Sequence, residues 1–281
     1  MSSHPLLDVE QIDTTAELYL PAIGDVFVTF GAPDQDSGNV SYGVSVGGQR
    51  FFVKSAGDPE YASATMDHEG RCSALHNSVE LSNSCPHPIL TKLRHVMESA
   101  AGPVLVYDWV EGELLAHDQD AADSALARFR QLPLDSAVAA VSQIYSAHRD
   151  LAQAGWIAVD FYLGSILYNF DEQRVSVMDL DMYHAGEFVN EMGRMYGSRS
   201  LMAPEEFKKG ERIDQDTNVF VLGRVALVLL GNSELDRSSF RGPDALYDVV
   251  ALACRQKRKQ RFKTMSAFVD AWETARSPTE L

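Results

Sequence analysis

Cysteine is scarce in this 281-residue chain: Cys72, Cys85 and Cys254 are odd in number and widely spaced. They offer neither a disulfide framework nor the spacing of a metal site, so a reducing, cytoplasmic setting is expected. Long apolar runs are missing too. The longest, Val219 to Leu230, is too short to span a bilayer and carries Arg224, and no membrane partner is expected. Met1 to Asp8 lacks a basic segment followed by an apolar stretch, so no signal peptide is expected. Basic residues are outnumbered, 24 Lys and Arg against 40 Asp and Glu, and the net charge of −16 argues against nucleic acid as the main partner. That charge is compatible with a cationic substrate or simply with solubility. One basic cluster, Arg255, Lys257, Arg258, Lys259, Arg261 and Lys263, reads mostly as a solvated helix-end surface. There is no internal repeat and no low-complexity linker.

What is present is an ordinary globular composition, 45% hydrophobic, in a chain long enough for one large domain or two lobes sharing a cleft. Three strands are predicted over Asp25–Phe30, Val40–Val46 and Gln49–Lys54, the last two joined by a Gly47-Gly48 hairpin turn. The polar stretch 59 to 83, with Met66, Cys72, Leu75 and Val79 spaced along it, predicts a helix. Ile89–Val96 and Pro103–Trp109 predict two more strands. Val110-Glu111-Gly112 reads as a hinge, after which the pattern turns helical over Ala121–Gln131 and Ser136–Ala154, the second ended by Gly155. Two short strands, Ser165–Phe170 and Arg174–Asp179, flank an Asp171-Glu172 turn. A buried helix follows at Asn218–Leu230. Sheet first and helices later predicts an α+β body, with residues 1–109 as the sheet region and 110–281 as the helical one.

The residues that carry chemistry are few. Lys54 ends the apolar run Phe51-Phe52-Val53, where an unpaired ammonium would be expensive; alone it reads as a strand-end lysine reaching water. Asp160 follows Gly155-Trp156-Ile157-Ala158-Val159, and Asp179 and Asp181 follow Ser176-Val177-Met178. Met202-Ala203-Pro204-Glu205 comes after. Lysine, aspartate, aspartate and Ala-Pro-Glu, in this order and at these separations, resemble the protein kinase family, in a divergent bacterial-type Ser/Thr form. The likeness runs from about Asp25 to Thr274.

The resemblance implies a bilobal fold, with a small antiparallel-sheet N-lobe holding one main helix and a larger, mostly helical C-lobe. It implies ATP and Mg2+ as cofactors and a Ser/Thr hydroxyl of a protein as acceptor. Asp160 would orient that hydroxyl and take its proton; Lys54 would contact the α- and β-phosphates. Glu69 is the preferred helix partner for Lys54, with Glu80 as its rival. Gly31 and Gly38 would flank the phosphate-covering loop, and backbone groups of Asp108 and Val110 would bind adenine, with Tyr107 at the rear wall. Asp179 would hold the metal, with Ser165 standing where the family has asparagine and Asp181 where it has glycine. Both are oxygen ligands suited to a hard cation. Asp179 and Asp181 reach one ion only if the chain turns at Asp179. Ser198 stands where a threonine touches the catalytic aspartate, Glu205 would pair with Arg261, and Asn218 would support the Asp160 loop.

The departures are as specific as the matches. The His-Arg that precedes the family's catalytic aspartate is Ala158-Val159 here, which removes the arginine that pairs with a phosphorylated activation segment. The tripeptide His148-Arg149-Asp150 is a decoy, because Gly155 follows it rather than preceding it. The glycine loop has two glycines and two acids, Asp34 and Asp36, that would repel a triphosphate. Two alternatives stay open: a kinase of antibiotics or metabolites, and a catalytically weak kinase-like binding module.

Overall fold

In a computed structural model that describes residues 3–31, 37–116 and 121–277, the chain forms two units, Met1–Pro86 with Thr91–Val110, and His87–Leu90 with Glu111–Leu281. The acids Asp34 and Asp36 lie outside the described residues.

In the first unit, β1 (Asp25–Phe30), β2 (Val40–Val46) and β3 (Gln49–Ser55) form an antiparallel meander. Gly47 and Gly48 turn the β2–β3 hairpin with φ of 60° and 82°, values that glycine adopts without strain. Pairing then runs residue for residue from Val46↔Gln49 to Val40↔Ser55. β4 (Leu93–Ser99) and β5 (Gly102–Asp108) complete a five-stranded antiparallel sheet in the order β1-β2-β3-β5-β4. The strand predicted from Ile89 starts only at Leu93. Residues 87–90 belong with the other unit, where Val177 N–H donates to Ile89 O at 2.7 Å. Pro86 and Pro88, which cannot donate to a ladder, keep this stretch out of the sheet.

Alternation along the strands gives the sheet two buried faces. Val44, Phe51, Val53, Val104 and Val106 pack against Leu6, Ile12, Ala16 and Leu20. The last two belong to α1 (Ala16–Ile23), so the unit holds a second, shorter helix beside the one predicted. Eight residues containing Pro21 give little periodic signal; tertiary burial makes the helix. Leu6 and Leu20 are fully buried, a contribution of roughly 1.5–3 kcal/mol each. The same N-terminal stretch covers the outer edge of β4, with Ile12 N–H donating to Glu98 O and Glu98 N–H to Glu10 O.

The other face, with Phe52, Ala56, Leu105 and Tyr107, packs on α2 (His68–Ser84) through Leu75, Cys72 and Val79. Arg71 is the unexpected member of this contact. It is 1% exposed, and its guanidinium donates to Ala56 O (2.7 Å), Met66 O (2.8 Å) and Asp58 O (2.7 Å). It therefore ties the end of β3 to the start of α2.

The second unit is mostly helical. α3 (Ala125–Phe129) is shorter than predicted and is capped by Ser124, which accepts from Ala127 N–H. α4 (Leu134–Gln153) and α5 (Gln215–Leu230) pack together, and Tyr145 of α4 donates to Leu222 O of α5 at 3.1 Å. α6 (Asp244–Ala253) and α7 (Met265–Arg276) close this core, where Trp272 Nε1–H donates to Ser142 Oγ at 2.8 Å. Small strands join the loops. β6 (Glu113–Leu114), β8 (Ile166–Asn169) and β9 (Arg174–Val177) form one sheet. β7 (Trp156–Ile157) pairs with β10 (His184–Ala185), and β11 (Phe188–Val189) with β12 (Arg212–Ile213). The fold class is mixed α+β, and no described helix is long and apolar enough to cross a membrane.

Replacing Arg71 by Met orphans three carbonyls at once. The bond to Ala56 O is buried and the other two are partly so; with about 1–3 kcal/mol for an unmade buried bond and less for the others, urea unfolding should show a loss of about 2–4 kcal/mol, and a loss under 1 kcal/mol would refute the clamp.

Candidate functional site

Asp160 sits in a loop whose backbone is held from below. Asn218, 2% exposed in α5, accepts from Ala158 N–H at 2.8 Å through Oδ1 and donates to Ala158 O at 2.7 Å through Nδ2. An asparagine fits this double role because its amide carries both a donor and an acceptor. Two residues on, Asp160 adopts φ 59°, a left-handed conformation. Asp179 does the same, with φ 61°. The other described non-glycine residues with positive φ are Gln173 and Ser233. Such strain persists only where the surroundings fix it, and it clusters at functional sites.

The turns that carry these two aspartates adjoin. β7, just before Ala158, pairs with β10, just after Tyr183: Ile157 faces His184 and Trp156 faces Ala185. Met178 N–H, adjacent to Asp179, donates to Ser165 O at 2.9 Å. Between the turns lies Tyr183, fully buried, whose hydroxyl pKa is pushed well up by burial and by the charges of Asp160 and Asp179. It stays protonated and meets His148 Nε2 at 2.8 Å. His148 Nδ1 lies 2.8 Å from Ile144 O, which only accepts, so Nδ1 carries the proton and Nε2 takes the tyrosine's. Burial pulls the His148 pKa down to about 4, which keeps the imidazole neutral, and its ring lies 4.3 Å from that of Phe161. The decoy tripeptide thus supplies a residue beneath the site that the sequence did not reveal.

Strand β9 ends at Val177, and the left-handed Asp179 supplies the turn that the Asp179–Asp181 pair needs. Asp179 is exposed, Asp160 half-buried and Asp181 8% exposed. Ser165 is fully buried, and its Oγ has no hydrogen-bond partner among the described residues. No three or more His, Cys, Asp or Glu side chains among the described residues are grouped to hold a metal ion by themselves. Magnesium usually needs only one or two carboxylates, with phosphate oxygens and water completing its shell. The hard oxygens of Asp179, Asp181 and Ser165, the last one buried and unsatisfied, fit that demand.

The segment from Gly197 to Glu206 lies against Asp160. A Cβ on Gly197, at φ 133°, would stand 3.8 Å from Asp160 Oδ1. Ser198 was expected at the aspartate, but the bond its hydroxyl makes is to Ser200 Oγ at 3.2 Å. Glu205 and Arg261 form a buried bidentate pair, 2.6 and 3.1 Å, as the resemblance implied. The basic cluster is mostly solvated, as expected, with Arg255, Lys257, Lys259 and Lys263 exposed; the exceptions are Arg261, 4% exposed, and Arg258, which bridges Asp214 and Asp216 at 2.7 Å each. Glu206 is missing from the sequence reading. Burial pushes its carboxyl up to about 8, and the charges of Glu205 and Asp160 act in the same direction; the Ala203 N–H bond and Arg261 oppose them. Glu206, Asp160, Ala158, Tyr196, Gly197 and Met202 line a cavity of about 10 Å3, at the lower limit for one water. Val159 joins Ile157, Met195, Met202 and Ile213 in an apolar cluster. Where the resemblance expects an arginine, this chain packs the segment by hydrophobic contact.

The remaining candidates lie in the first unit. Lys54, in β3, is 7% exposed and by alternation shares the α2-facing side of the sheet with Phe52 and Ala56. Glu69 is exposed in the first turn of α2, and Glu80 is exposed further along. The sheet-facing side of α2 instead carries Arg71, Leu75 and Ser78, so neither glutamate takes the position expected of a partner for Lys54. Gly38 has a packing role: at φ 90°, a Cβ there would fall 2.8 Å from Arg71 Nη1. Gly31 follows the last residue of β1, and among the described residues only Val40 lies near its Cβ position. Asp108 ends β5, donates its N–H to Lys92 O at 3.0 Å and meets Arg94 through its carboxylate. Tyr107 is buried against the α2 face.

No protein-family profile matches the chain, and no curated protein matches it.

Two outcomes follow from the loop chemistry. Asn218→Asp keeps the bond from Ala158 N–H but sets a carboxylate oxygen against Ala158 O. Stability should drop by about 1–3 kcal/mol at pH 7 and recover as acid protonates the new carboxyl, measured by urea melts at pH 5 and 7. Equal losses at both values would refute it. Glu206 has a folded pKa above its unfolded value of 4.5, so the folded state binds more protons between pH 4.5 and about 8. Its contribution is therefore full below 4.5 and is lost as pH rises through 8. Glu206→Gln should leave Tm nearly unchanged at pH 4.5 and raise it at pH 8.5, by an amount corresponding to a few kcal/mol at most.

Proposed function

We propose that the chain is an ATP- and magnesium-dependent phosphotransferase of bilobal, protein kinase-like fold, acting on a Ser/Thr hydroxyl. The observation that carries this reading is the pair of left-handed aspartates, Asp160 and Asp179, on adjoining turns around one buried tyrosine. Asp160, half-buried and held through Ala158 by Asn218, orients the acceptor hydroxyl and takes its proton. Lys54 supplies the positive charge that holds phosphate oxygens. Backbone groups near Val110 serve the base. Asp179, with Ser165 and Asp181, would hold magnesium, which neutralises charge on the triphosphate when bound.

A second reading, a kinase-like module that binds without turnover, has its own support. Glu69 and Glu80 are exposed, and Gly38 is committed to packing around Arg71.

A thermal shift with ATP, with and without magnesium, and ATP turnover separate the two. The phosphotransferase reading expects a magnesium-dependent shift, weakened in Lys54→Met. It also expects turnover that falls about 10²–10⁴-fold in Asp160→Asn. Unchanged turnover in Asp160→Asn rejects the role of Asp160. A shift without turnover selects the binding module.

A further inference from the structure

A second pocket in the helical unit, of about 150 Å3, is not used by the chemistry above. Arg130, Ser198, Ser200, Ser233, Tyr162 and Val228 line it. We infer that this pocket binds a phosphate or carboxylate group carried by the acceptor molecule, so that the acceptor is anionic. This rests on the phosphotransferase reading for its purpose, though not for its chemistry.

Arg130 is half-buried and lies between two fixed partners. Its Nε–H donates to Val228 O at 2.8 Å, and one Nη2–H donates to Ser233 Oγ at 3.3 Å. A guanidinium has five N–H donors, so three are left. Among the described residues no carboxylate pairs with it. Burial alone acts on its pKa, pulling it down, as expected for a cation taken partly out of water without a neighbouring anion. A second guanidinium, that of Arg241, donates to Arg130 O and Leu132 O and adds positive charge behind it. Ser233 accepts from Arg130 and keeps its own proton to give. Ser198 and Ser200 share one hydrogen bond, so one of their two hydroxyl protons is still available. Arginine beside several hydroxyl donors is the chemistry of a tetrahedral or planar oxyanion site.

The location gives the pocket its purpose. Tyr162 and Leu163 are two and three residues after Asp160 in the chain, and Ser198 follows Gly197, whose Cβ position is 3.8 Å from Asp160 Oδ1. An acceptor anchored here by an anionic group presents a hydroxyl to Asp160 within a short span. The net charge of −16 is compatible with a cationic acceptor or simply with solubility; the charged side chain that lines this pocket, Arg130, has the opposite sign, and an acceptor group there would meet it first.

The test is binding without ATP, so it does not depend on turnover. The protein is titrated with inorganic phosphate, free phosphoserine and a phosphoserine peptide, by calorimetry. Saturable binding of at least one probe is expected, weakened about tenfold or more, the loss of one charge-assisted bond, in Arg130→Gln. Ser200→Asp should do the same by repulsion. It guards against a folding defect in the arginine variant, because among the described residues the Ser200 side chain bonds only Ser198. Tighter binding of the peptide than of free phosphoserine supports a protein acceptor, and equal binding supports a small one. No saturable binding, or unchanged affinity in both Arg130→Gln and Ser200→Asp, overturns the inference while leaving the roles of Asp160 and Asp179 standing.

Discussion

The candidate site depends on one buried amide. A loop that runs through the interior carries polar backbone groups that must be satisfied. Asn218 meets this demand at Ala158 with both halves of its side chain. With Ala158 fixed in both its N–H and its C=O, the chain enters Asp160 from a set direction, and the left-handed turn there becomes affordable. β7 and β10 extend the constraint: once Ile157 faces His184, the Asp179 turn has little freedom relative to the Asp160 turn. The His148–Tyr183 bond then closes the floor beneath both. Each of these contacts is ordinary. Together they hold two carboxylates on neighbouring strained turns, an arrangement that local sequence preference alone would not produce.

The segment beyond Gly197 is fixed differently. Glu205 and Arg261 are both nearly inaccessible, so separating them would leave a buried charge unpaired, at about 3–5 kcal/mol. Arg261 also lies 4.7 Å over the Phe220 ring and donates to Arg255 O at 2.6 Å. Beside this ion pair, Glu206 avoids the same cost by staying protonated over most of the working pH range. Two adjacent glutamates therefore solve burial in opposite ways, one by pairing and one by neutralising. The neutral form of Glu206 also spares Asp160 a second negative charge next to it.

Much of the fold was legible, and the reasons are local. β1 and β2 begin and end where alternation and flanking glycines put them, and the Gly47-Gly48 turn set the register. α5 was readable because it is apolar almost all round. α1 was not, since its eight residues contain a proline and become helical only through Leu20 and Ala16 burying against the sheet. Two-residue strands such as β7 and β10 carry no periodicity at all. The glutamate expected beside Lys54 was misread because the phase of α2 is hidden: its buried face includes Arg71 and Ser78, which look like surface residues in a sequence. His148 was set aside for its position in the chain, and only the fold brings it to Tyr183.

Val159, where the resemblance expects a basic residue, is the most instructive departure from that resemblance. An arginine there would hold a charge in readiness for a charged segment, and the segment's order would depend on modification. Val159 is 6% exposed, and its contacts are Met195, Met202 and Ile213. Those residues come from the segment itself and from β12, so the segment is held by apolar packing. Methionine suits this task, because its flexible side chain fills irregular gaps without demanding a particular partner. On the proposed reading, such a site is assembled by hydrophobic burial as soon as the helical unit folds. On the same reading, selection of the acceptor at the serine- and arginine-lined pocket takes the place of a charge switch as the means of control.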